Sequence, residues 1–121
     1  ASGYAESLGI SDIYIGVNSV DYSGYPDCRK EFIEAFEKLI NFSTKKGLHG
    51  QKFNIITPLI NLKKKEIVLI GKKNGVNFVK TASCYNPINK ESCGLCDSCL
   101  LRKKGFQEAK IIDPIRYRKD V

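Results

Sequence analysis

DIYIGVNSVDYSGYPDCRKEFIEAFEKLI, residues 12–40, joins an apolar strand pattern to a helical pattern through a polar loop. Near its start, Ile13, Ile15 and Val17 fall on one face of an extended chain and Tyr14 on the other. Apolar side chains on both faces are typical of a strand inside a parallel sheet. We therefore predict an inner strand over residues 12–17 that is buried on both sides.

A long helix is predicted after the loop, in RKEFIEAFEKLINFSTKKG, residues 29–47. Asp27 is placed to cap its first turn and Gly47 to end its last. The predicted buried face repeats at helical spacing and consists of Phe32, Phe36, Leu39, Ile40 and Ser43.

A second strand and a second helix follow in the same order. KFNIIT, residues 52–57, has the alternation of a strand, and Pro58 closes it. A helix is then predicted from Asn61, as its N-cap, to a stop at Asn74 and Gly75. Its predicted inner face consists of Leu62, Glu66, Leu69 and Ile70.

The alternation of strands and helices predicts an α/β fold with a parallel sheet. A length of 121 residues suits one domain, so we predict a single domain over residues 1–121. Because ligands of such sheets bind at the carboxyl ends of the strands, two loops are expected to face a ligand. They are NSVDYSGYPDCR, residues 18–29, and TPLINLKKKE, residues 57–66.

Composition and charge narrow the class of protein further. No apolar run reaches the roughly 18 residues of a membrane span, and the first residues lack the pattern of a secretory signal, so we expect a cytoplasmic protein. The net charge of +7 suits phosphate-rich partners such as ATP or RNA, although scattered surface lysines give the same charge. Residues 2–9 have the pattern of a helix that ends at Gly9, so the chain is expected to continue a longer protein.

Four of the five cysteines lie within SCYNPINKESCGLCDSC, residues 83–99. Four thiolates within tetrahedral reach are ligands that zinc prefers, and an iron–sulfur cluster with four cysteines is the open alternative. Asp97 is expected to cap a helix that starts near Ser98 and directs backbone N–H groups at the thiolates. The predicted ligands are Cys84, Cys93, Cys96 and Cys99.

Three stretches together resemble the C-terminal portion of the 7-cyano-7-deazaguanine synthase family of queuosine precursor synthesis. They are IYIGVNSVDYSGYPDCRKEFIEAF (13–36), TPLINLKKKEI (57–67) and SCYNP with SCGLCDSCLLRKKGF (83–106). The DYSGYPDCR run and the cysteine spacing are specific to that family, whereas TPLINLKKKEI recurs across the ATP-pyrophosphatase superfamily. The resemblance covers roughly residues 4 to 117.

The resemblance implies an adenine-nucleotide α-hydrolase-like, Rossmann-like domain with a structural zinc in residues 84–99. It also implies ATP and magnesium as cofactors and a homodimer in the cytoplasm. The lack of a long apolar run excludes a membrane as partner, and nucleic acid is not expected because no aromatic-basic motif occurs. The implied reaction converts 7-carboxy-7-deazaguanine, ammonia and ATP to 7-cyano-7-deazaguanine. ATP activates the carboxylate as an acyl adenylate, ammonia gives the amide, and a second ATP drives dehydration to the nitrile.

The resemblance also implies roles for residues of the two loops, although no catalytic residue is assigned. An aspartate would accept hydrogen bonds from the deazaguanine, a tyrosine would stack on it, and an arginine would meet its carboxylate. Lys64 matches the superfamily lysine that faces the nucleotide phosphates. The implied substrate-binding residues are Asp21, Tyr22, Tyr25, Asp27 and Arg29.

One part of the family pattern is missing from this chain. The family's Ser-Gly-Gly-x-Asp-Ser phosphate loop does not occur in it, so we expect the chain alone to be inactive and to form the C-terminal part of a longer enzyme. A split enzyme with a separate N-terminal polypeptide is one alternative. A zinc-stabilised RNA-binding or interaction module without enzymatic activity is the other.

Overall fold

The computed structural model describes residues 1–20 and 25–118 of the chain. Five α-helices and two β-strands lie within these residues. In chain order they are α1 (Ser2–Ser7), β1 (Asp12–Tyr14), α2 (Lys30–Ser43), α3 (Lys45–Leu48), β2 (Asn54–Ile56), α4 (Lys64–Lys73) and α5 (Asp97–Glu108), with short 3₁₀ helices at Pro26–Cys28 and Phe78–Lys80.

Residue contacts divide the chain into two compact units, Ala1–Asn61 and the residues from Leu62 onward. In the first unit β1 pairs with β2 in parallel, with Ile13 opposite Ile55. This pairing confirms the predicted α/β class with a parallel sheet. The single domain predicted for residues 1–121 stays a prediction. None of the helices in the described ranges is both long and apolar enough to cross a lipid bilayer.

Two apolar clusters hold the first unit together, one at each end of α2. The side-chain amide of Asn41 in α2 fixes the neighbouring strand, since it donates to the carbonyl of Phe53 at 3.0 Å and accepts from its N–H at 2.7 Å. Phe53 is buried, as its position in the predicted strand requires. The first cluster consists of Ala5, Ile40 and Phe53, and the second of Val17, Ile33 and Ile60.

Strand β1 is shorter and less covered than the sequence predicts. It ends at Tyr14, although the N–H of Ile15 still donates to the carbonyl of Ile56 at 2.9 Å. Ile13 packs against the cluster around α2, whereas Tyr14 on the opposite face is 70% exposed. The prediction of burial on both faces is therefore wrong for the described residues.

Helix α2 begins later than predicted. Its N-cap is Arg29 in an extended conformation, and no side chain caps it. Asp27 lies upstream in the 3₁₀ helix, so its predicted capping role is wrong. The helix ends at Ser43 because Thr44 is extended, and the Thr44 hydroxyl accepts from the N–H of Gly47 at 3.2 Å inside α3.

The buried face of α2 is also rotated from the predicted one. Ile33 and Ile40 are buried, whereas Phe32, Phe36 and Leu39 are 45%, 36% and 60% exposed. Both sets have helical spacing, but only the Ile33–Ile40 set faces the two clusters of the first unit. Of the predicted face, Ile40 alone is buried, and Ser43 is exposed like the phenylalanines.

Helix α4 in the second unit starts at Lys64, with Lys63 as N-cap instead of Asn61. The Glu66 carboxylate accepts from the N–H of Lys63 at 2.7 Å, which satisfies one of the free donors at the helix start. The helix stops at Asn74, and Gly75 follows with a φ of +73°, as predicted. Its buried residue is Val68, while Leu69 and Ile70 of the predicted face are exposed.

Candidate metal centre and substrate loops

The four clustered cysteines meet in the second unit and form the candidate metal centre. Their Sγ atoms all lie within 4.8 Å of one another. In a tetrahedral site with Zn–S bonds of about 2.3 Å, sulfur atoms are roughly 3.8 Å apart. The Sγ atoms of Cys93 and Cys99 are 3.9 Å apart, close to that separation. The set Cys84, Cys93, Cys96 and Cys99 could therefore hold a metal ion such as zinc.

A loop and a helix supply two thiols each. Cys96 is the N-cap of α5 and Cys99 lies in its first turn, so Asp97 begins the helix and does not cap it as predicted. Cys84 and Cys93 lie on the loop before the helix. Gly94, with a φ of +77°, turns the chain between the two pairs.

Backbone N–H groups point at the loop thiols, but these donors belong to the loop and to the N-cap of α5, not to the helix that was predicted to supply them. The N–H groups of Asn86 and Cys93 donate to the Sγ of Cys84 at 3.3 and 3.2 Å. The N–H of Cys96 donates to the Sγ of Cys93 at 3.3 Å. The bond from Cys96 favours the thiolate of Cys93, and the thiolate is the form that binds a metal ion.

Backbone donors and burial separate the pKa values of three of the free thiols. The backbone N–H groups of Leu95 and Cys96 lower the pKa of the Cys93 thiol to about 6. The N–H of Cys99, and then that of Tyr85, lowers the pKa of the Cys96 thiol. Burial raises the pKa of the Cys99 thiol to about 12, so a bound cation is what would keep this thiol ionised at neutral pH.

This centre has the chemistry of a structural site. Four protein ligands complete a tetrahedral zinc, so no position is left for water or a substrate. When bound, the metal would supply cross-links between the loop and α5. Catalysis must then depend on other residues.

The two loops predicted to face a ligand are held together at the ends of β1 and β2. The side-chain amide of Asn18 donates to the carbonyl of Leu59 at 2.8 Å. The hydroxyl of Ser19 donates to the carbonyl of Ile60 at 2.8 Å, and the Ser19 N–H donates to the same oxygen at 3.0 Å. The carboxyl ends of the parallel strands therefore lie side by side, as the fold class requires.

The predicted substrate-binding residues are placed only in part. Tyr25, Asp27 and Arg29 are exposed on and around the 3₁₀ helix that precedes α2. Asp21 and Tyr22 lie outside the described residues. The binding roles of all five remain predictions.

Lys64, the predicted nucleotide-binding residue, is the first residue of α4 and belongs to the second unit. Its stem lies over Gly105 of α5, where a β-carbon would come within 2.9 Å of the Lys64 Cβ. The start of α4 therefore packs directly on the helix that carries Cys96 and Cys99. The nucleotide-binding role of Lys64 also remains a prediction.

A buried polar network beside the metal centre is absent from the sequence-based prediction. Arg102 of α5 donates from Nε and Nη2 to the two carboxylate oxygens of Asp113, at 2.8 and 2.9 Å. The Tyr117 hydroxyl donates to the same carboxylate at 2.7 Å. The Asp113 side chain is 9% exposed, although its neighbours Ile112 and Pro114 are exposed.

Burial and pairing shift the pKa values within this network. Burial opposes ionisation of Asp113, but hydrogen bonds from Arg102 and Tyr117 outweigh it and lower the pKa of the carboxyl group. Burial also opposes the charge of Arg102, and its bond to Asp113 outweighs burial and raises the guanidinium pKa. Burial, followed by the hydrogen bond to Asp113, raises the pKa of the Tyr117 hydroxyl. Arg102 and Asp113 therefore form a charged pair, and Tyr117 stays protonated beside it.

Comparison with known proteins places the chain in one family. A family model described as "Queuosine biosynthesis protein QueC" matches residues 1–110. A protein of Pelobacter propionicus is 59% identical over 119 residues, which cover 97% of this chain and 53% of that relative. One of Methylococcus capsulatus is 56% identical over 119 residues, with 98% and 53% covered. One of Leptospira interrogans serovar Lai is 60% identical over 111 residues, with 92% and 46% covered.

All three relatives carry the name 7-cyano-7-deazaguanine synthase, so the family is one of enzymes. The chain spans about half the length of these relatives. The region matched by the family model includes the whole candidate metal centre and α5. The chain therefore belongs to the QueC family of queuosine biosynthesis proteins, as the resemblance predicts.

Proposed function

We propose that this chain is the C-terminal part of an ATP-dependent ligase that converts 7-carboxy-7-deazaguanine and ammonia to 7-cyano-7-deazaguanine. The supporting observation is 59% identity, across 97% of the chain, to a relative named 7-cyano-7-deazaguanine synthase. The proposed enzyme acts in the cytoplasm as a homodimer and uses ATP with magnesium.

The proposed chemistry explains why ATP is needed. A carboxylate is a poor electrophile, so ATP first converts it to an acyl adenylate with release of pyrophosphate. Ammonia displaces AMP to give the amide. A second adenylation of the amide oxygen makes that oxygen a leaving group, and loss of AMP and a proton gives the nitrile. Each nitrile therefore consumes two ATP molecules.

Within this reaction, the chain's proposed contribution is binding and orientation. Arg29 would pair with the substrate carboxylate, for which a guanidinium offers two parallel N–H donors. Asp27 or Asp21 would accept hydrogen bonds from the base, and Tyr25 or Tyr22 would stack on it. Their loop follows β1, at the carboxyl edge where α/β sheets bind ligands.

The proposed role of the metal centre is to hold the second unit in shape. Zinc bound by Cys84, Cys93, Cys96 and Cys99 would link the loop to α5. Lys64, whose stem packs on α5, would then face the nucleotide phosphates from the start of α4. The metal would thus support nucleotide binding through structure and take no part in the reaction.

The proposal is tested on the protein as its source cells make it. Native mass spectrometry gives its chain length and bound metal, and the same sample is incubated with 7-carboxy-7-deazaguanine, ammonium, magnesium and ATP. We expect one zinc per chain and one nitrile for every two AMP released. The 121-residue chain alone should form no nitrile. A zinc-loaded natural protein that forms neither amide nor nitrile would overturn the proposed reaction.

The remaining alternatives predict different results from these samples. A split enzyme would form the nitrile only when this chain is mixed with a second polypeptide. An RNA-binding module would form none, and would instead bind tRNA with an affinity that falls steeply as salt rises.

A further inference from the structure

The two pairs of thiols in the metal centre are held by different means. Cys96 and Cys99 belong to the start of α5, so the helix fixes their spacing. Cys84 and Cys93 belong to a loop, which is folded back on itself by backbone hydrogen bonds between Ile88 and Glu91 at 2.9 and 3.1 Å. These bonds shape the loop but do not join it to the helix. The N–H of Cys96 reaches the Sγ of Cys93 at 3.3 Å, and further contacts hold the rest of the loop against the helix.

Residues 113–118, which we call the brace, join the loop to the rest of the unit. The Ser92 N–H donates to the carbonyl of Arg116 at 3.0 Å, and the Arg118 N–H donates to the carbonyl of Ser92 at 2.9 Å. Ser92 immediately precedes Cys93. The brace therefore forms backbone hydrogen bonds with the residue next to Cys93, a candidate metal ligand.

The brace is in turn anchored on α5. Arg102, three residues after Cys99, makes its two-bonded pair with Asp113, and their side chains are 7% and 9% exposed. Tyr117 donates to the same carboxylate. The charges in this pair are largely shielded from water, so their attraction is stronger than that of a surface pair.

Two further contacts extend the anchor to both sides of the loop. Arg102 also donates to the Thr81 hydroxyl at 2.8 Å, three residues before Cys84. Lys103 donates to the carbonyl of Gly94 at 3.0 Å, and its Nζ lies 4.4 Å from the centre of the Tyr117 ring. Contacts from α5 and the brace thus reach the Thr81 side chain before Cys84, and the backbone of Ser92 and Gly94 on either side of Cys93.

We propose that the brace positions Cys84 and Cys93 against Cys96 and Cys99, so that retention of the bound metal depends on Asp113 and Tyr117. The inference rests on the proposed metal site. Loss of a metal ion begins when ligands detach, and the loop thiols are the pair that can move away from the helix. Anchoring the loop shortens the time for which they are detached and slows metal loss.

Zinc release from the natural protein, with substitutions numbered as in this chain, tests the proposal. The zinc-loaded protein is mixed with an excess of a coloured chelator, and the release rate is measured for the wild type, Asp113→Asn and Tyr117→Phe. Glu108→Gln in α5 is the matched control, because it makes the same change from a carboxylate to an amide. The ion pair that it breaks, with Lys104 at 3.9 Å, is exposed. We expect release to be at least about tenfold faster in Asp113→Asn, about threefold faster in Tyr117→Phe, and within about twofold of the wild type in the control.

Cobalt substitution separates positioning from general stability. Tetrahedral cobalt bound by four thiolates gives visible bands whose energies and intensities depend on ligand geometry. At saturating cobalt, and at a temperature where circular dichroism shows each protein folded, we expect altered bands in Asp113→Asn and unchanged bands in Glu108→Gln. A brace that served only the global stability of the fold would leave these bands unchanged.

The outcomes distinguish failure of the inference from failure of the metal site. Equal release rates and identical cobalt bands in the wild type and both brace variants would overturn the brace alone. If Asp113→Asn does not fold, Tyr117→Phe decides by the same two measurements, since it removes one hydroxyl and keeps the ring beneath Lys103. A wild-type chain that takes up no zinc would overturn the metal centre and the brace with it.

Discussion

Lys64 and Gly105 are in direct contact across α4 and α5, because the glycine leaves room for the Lys64 stem. A β-carbon at position 105 would approach Lys64 Cβ to 2.9 Å and the Lys64 carbonyl carbon to 3.3 Å. These atoms belong to the backbone and the root of the side chain, so they cannot move aside without shifting α4. The predicted nucleotide-binding lysine is thus positioned by the helix that carries half of the metal centre.

Gly105→Ala should therefore destabilise the second unit. Overpacking costs about 1–3 kcal/mol, while alanine recovers up to about 1 kcal/mol of helix propensity, so we expect a net loss of about 1 kcal/mol. Urea unfolding of the zinc-loaded chain, followed by circular dichroism, measures it. Gly3→Ala in α1 is the control, because a β-carbon there meets nothing within 4 Å. A Gly105→Ala protein as stable as the wild type would contradict the close contact.

Tyr117 should make stability depend on pH in the alkaline range. Its pKa is raised in the folded chain, so its contribution is fully present below the unfolded pKa of about 10 and is lost as pH rises through the folded pKa. The difference in urea midpoint between the wild type and Tyr117→Phe should therefore be constant from about pH 7 to 9 and shrink above about pH 10.

Tyr14→Phe is the comparison for this experiment, since Tyr14 is 70% exposed. Its urea midpoint should follow that of the wild type across the whole pH range. A difference between the wild type and Tyr117→Phe that does not change above pH 10 would show that the hydroxyl ionises as freely in the folded chain as in the unfolded one.

Single cysteine substitutions should distinguish the four cysteines of the candidate metal centre from Cys28. Cys99→Ser should lose most of its zinc and a large part of its stability, because the buried Cys99 is one of the four candidate ligands. Cys28→Ser should keep one zinc per chain, because Cys28 packs beside Val17, Ile33 and Ile60 in the first unit. Metal analysis after gel filtration checks both, and equal zinc contents in the two variants would contradict the assignment.

The fold was predictable wherever the local sequence pattern is compatible with a single backbone structure. Alternating strands and helices predict a parallel sheet, and Asn74 with Gly75 predicts the end of α4 because a glycine adopts positive φ without strain. The buried face of α2 was not predictable in this way. Phe32 and Phe36 compete with Ile33 and Ile40 at equivalent helical spacing. Only tertiary packing against Phe53 and Val17 decides between them.

The candidate site likewise has features that local sequence predicts and features that only the tertiary structure shows. Four thiols at short spacing predict a metal centre, because four thiolates within tetrahedral reach are ligands that zinc prefers. Arg102 and Asp113 carry no such signal, since charged residues are usually solvated and the two are joined only by the fold. The roles of Tyr25, Asp27, Arg29 and Lys64 depend on partners that the chain's own pattern does not specify.

The proposed role of Lys64 gives a prediction for the natural enzyme. Lys64→Gln should raise the KM for ATP about tenfold, because it removes a charge-assisted hydrogen bond to phosphate, and should leave one zinc per chain. Lys65→Gln is the matched control, since Lys65 is the exposed neighbour in α4 and makes the same change of charge. Steady-state rates over a range of ATP concentrations, at fixed 7-carboxy-7-deazaguanine and ammonium, check both variants. Equal KM values for the two would assign the effect to net charge and remove Lys64 from the nucleotide site, whereas a rise confined to Lys64→Gln would link the start of α4 to nucleotide binding.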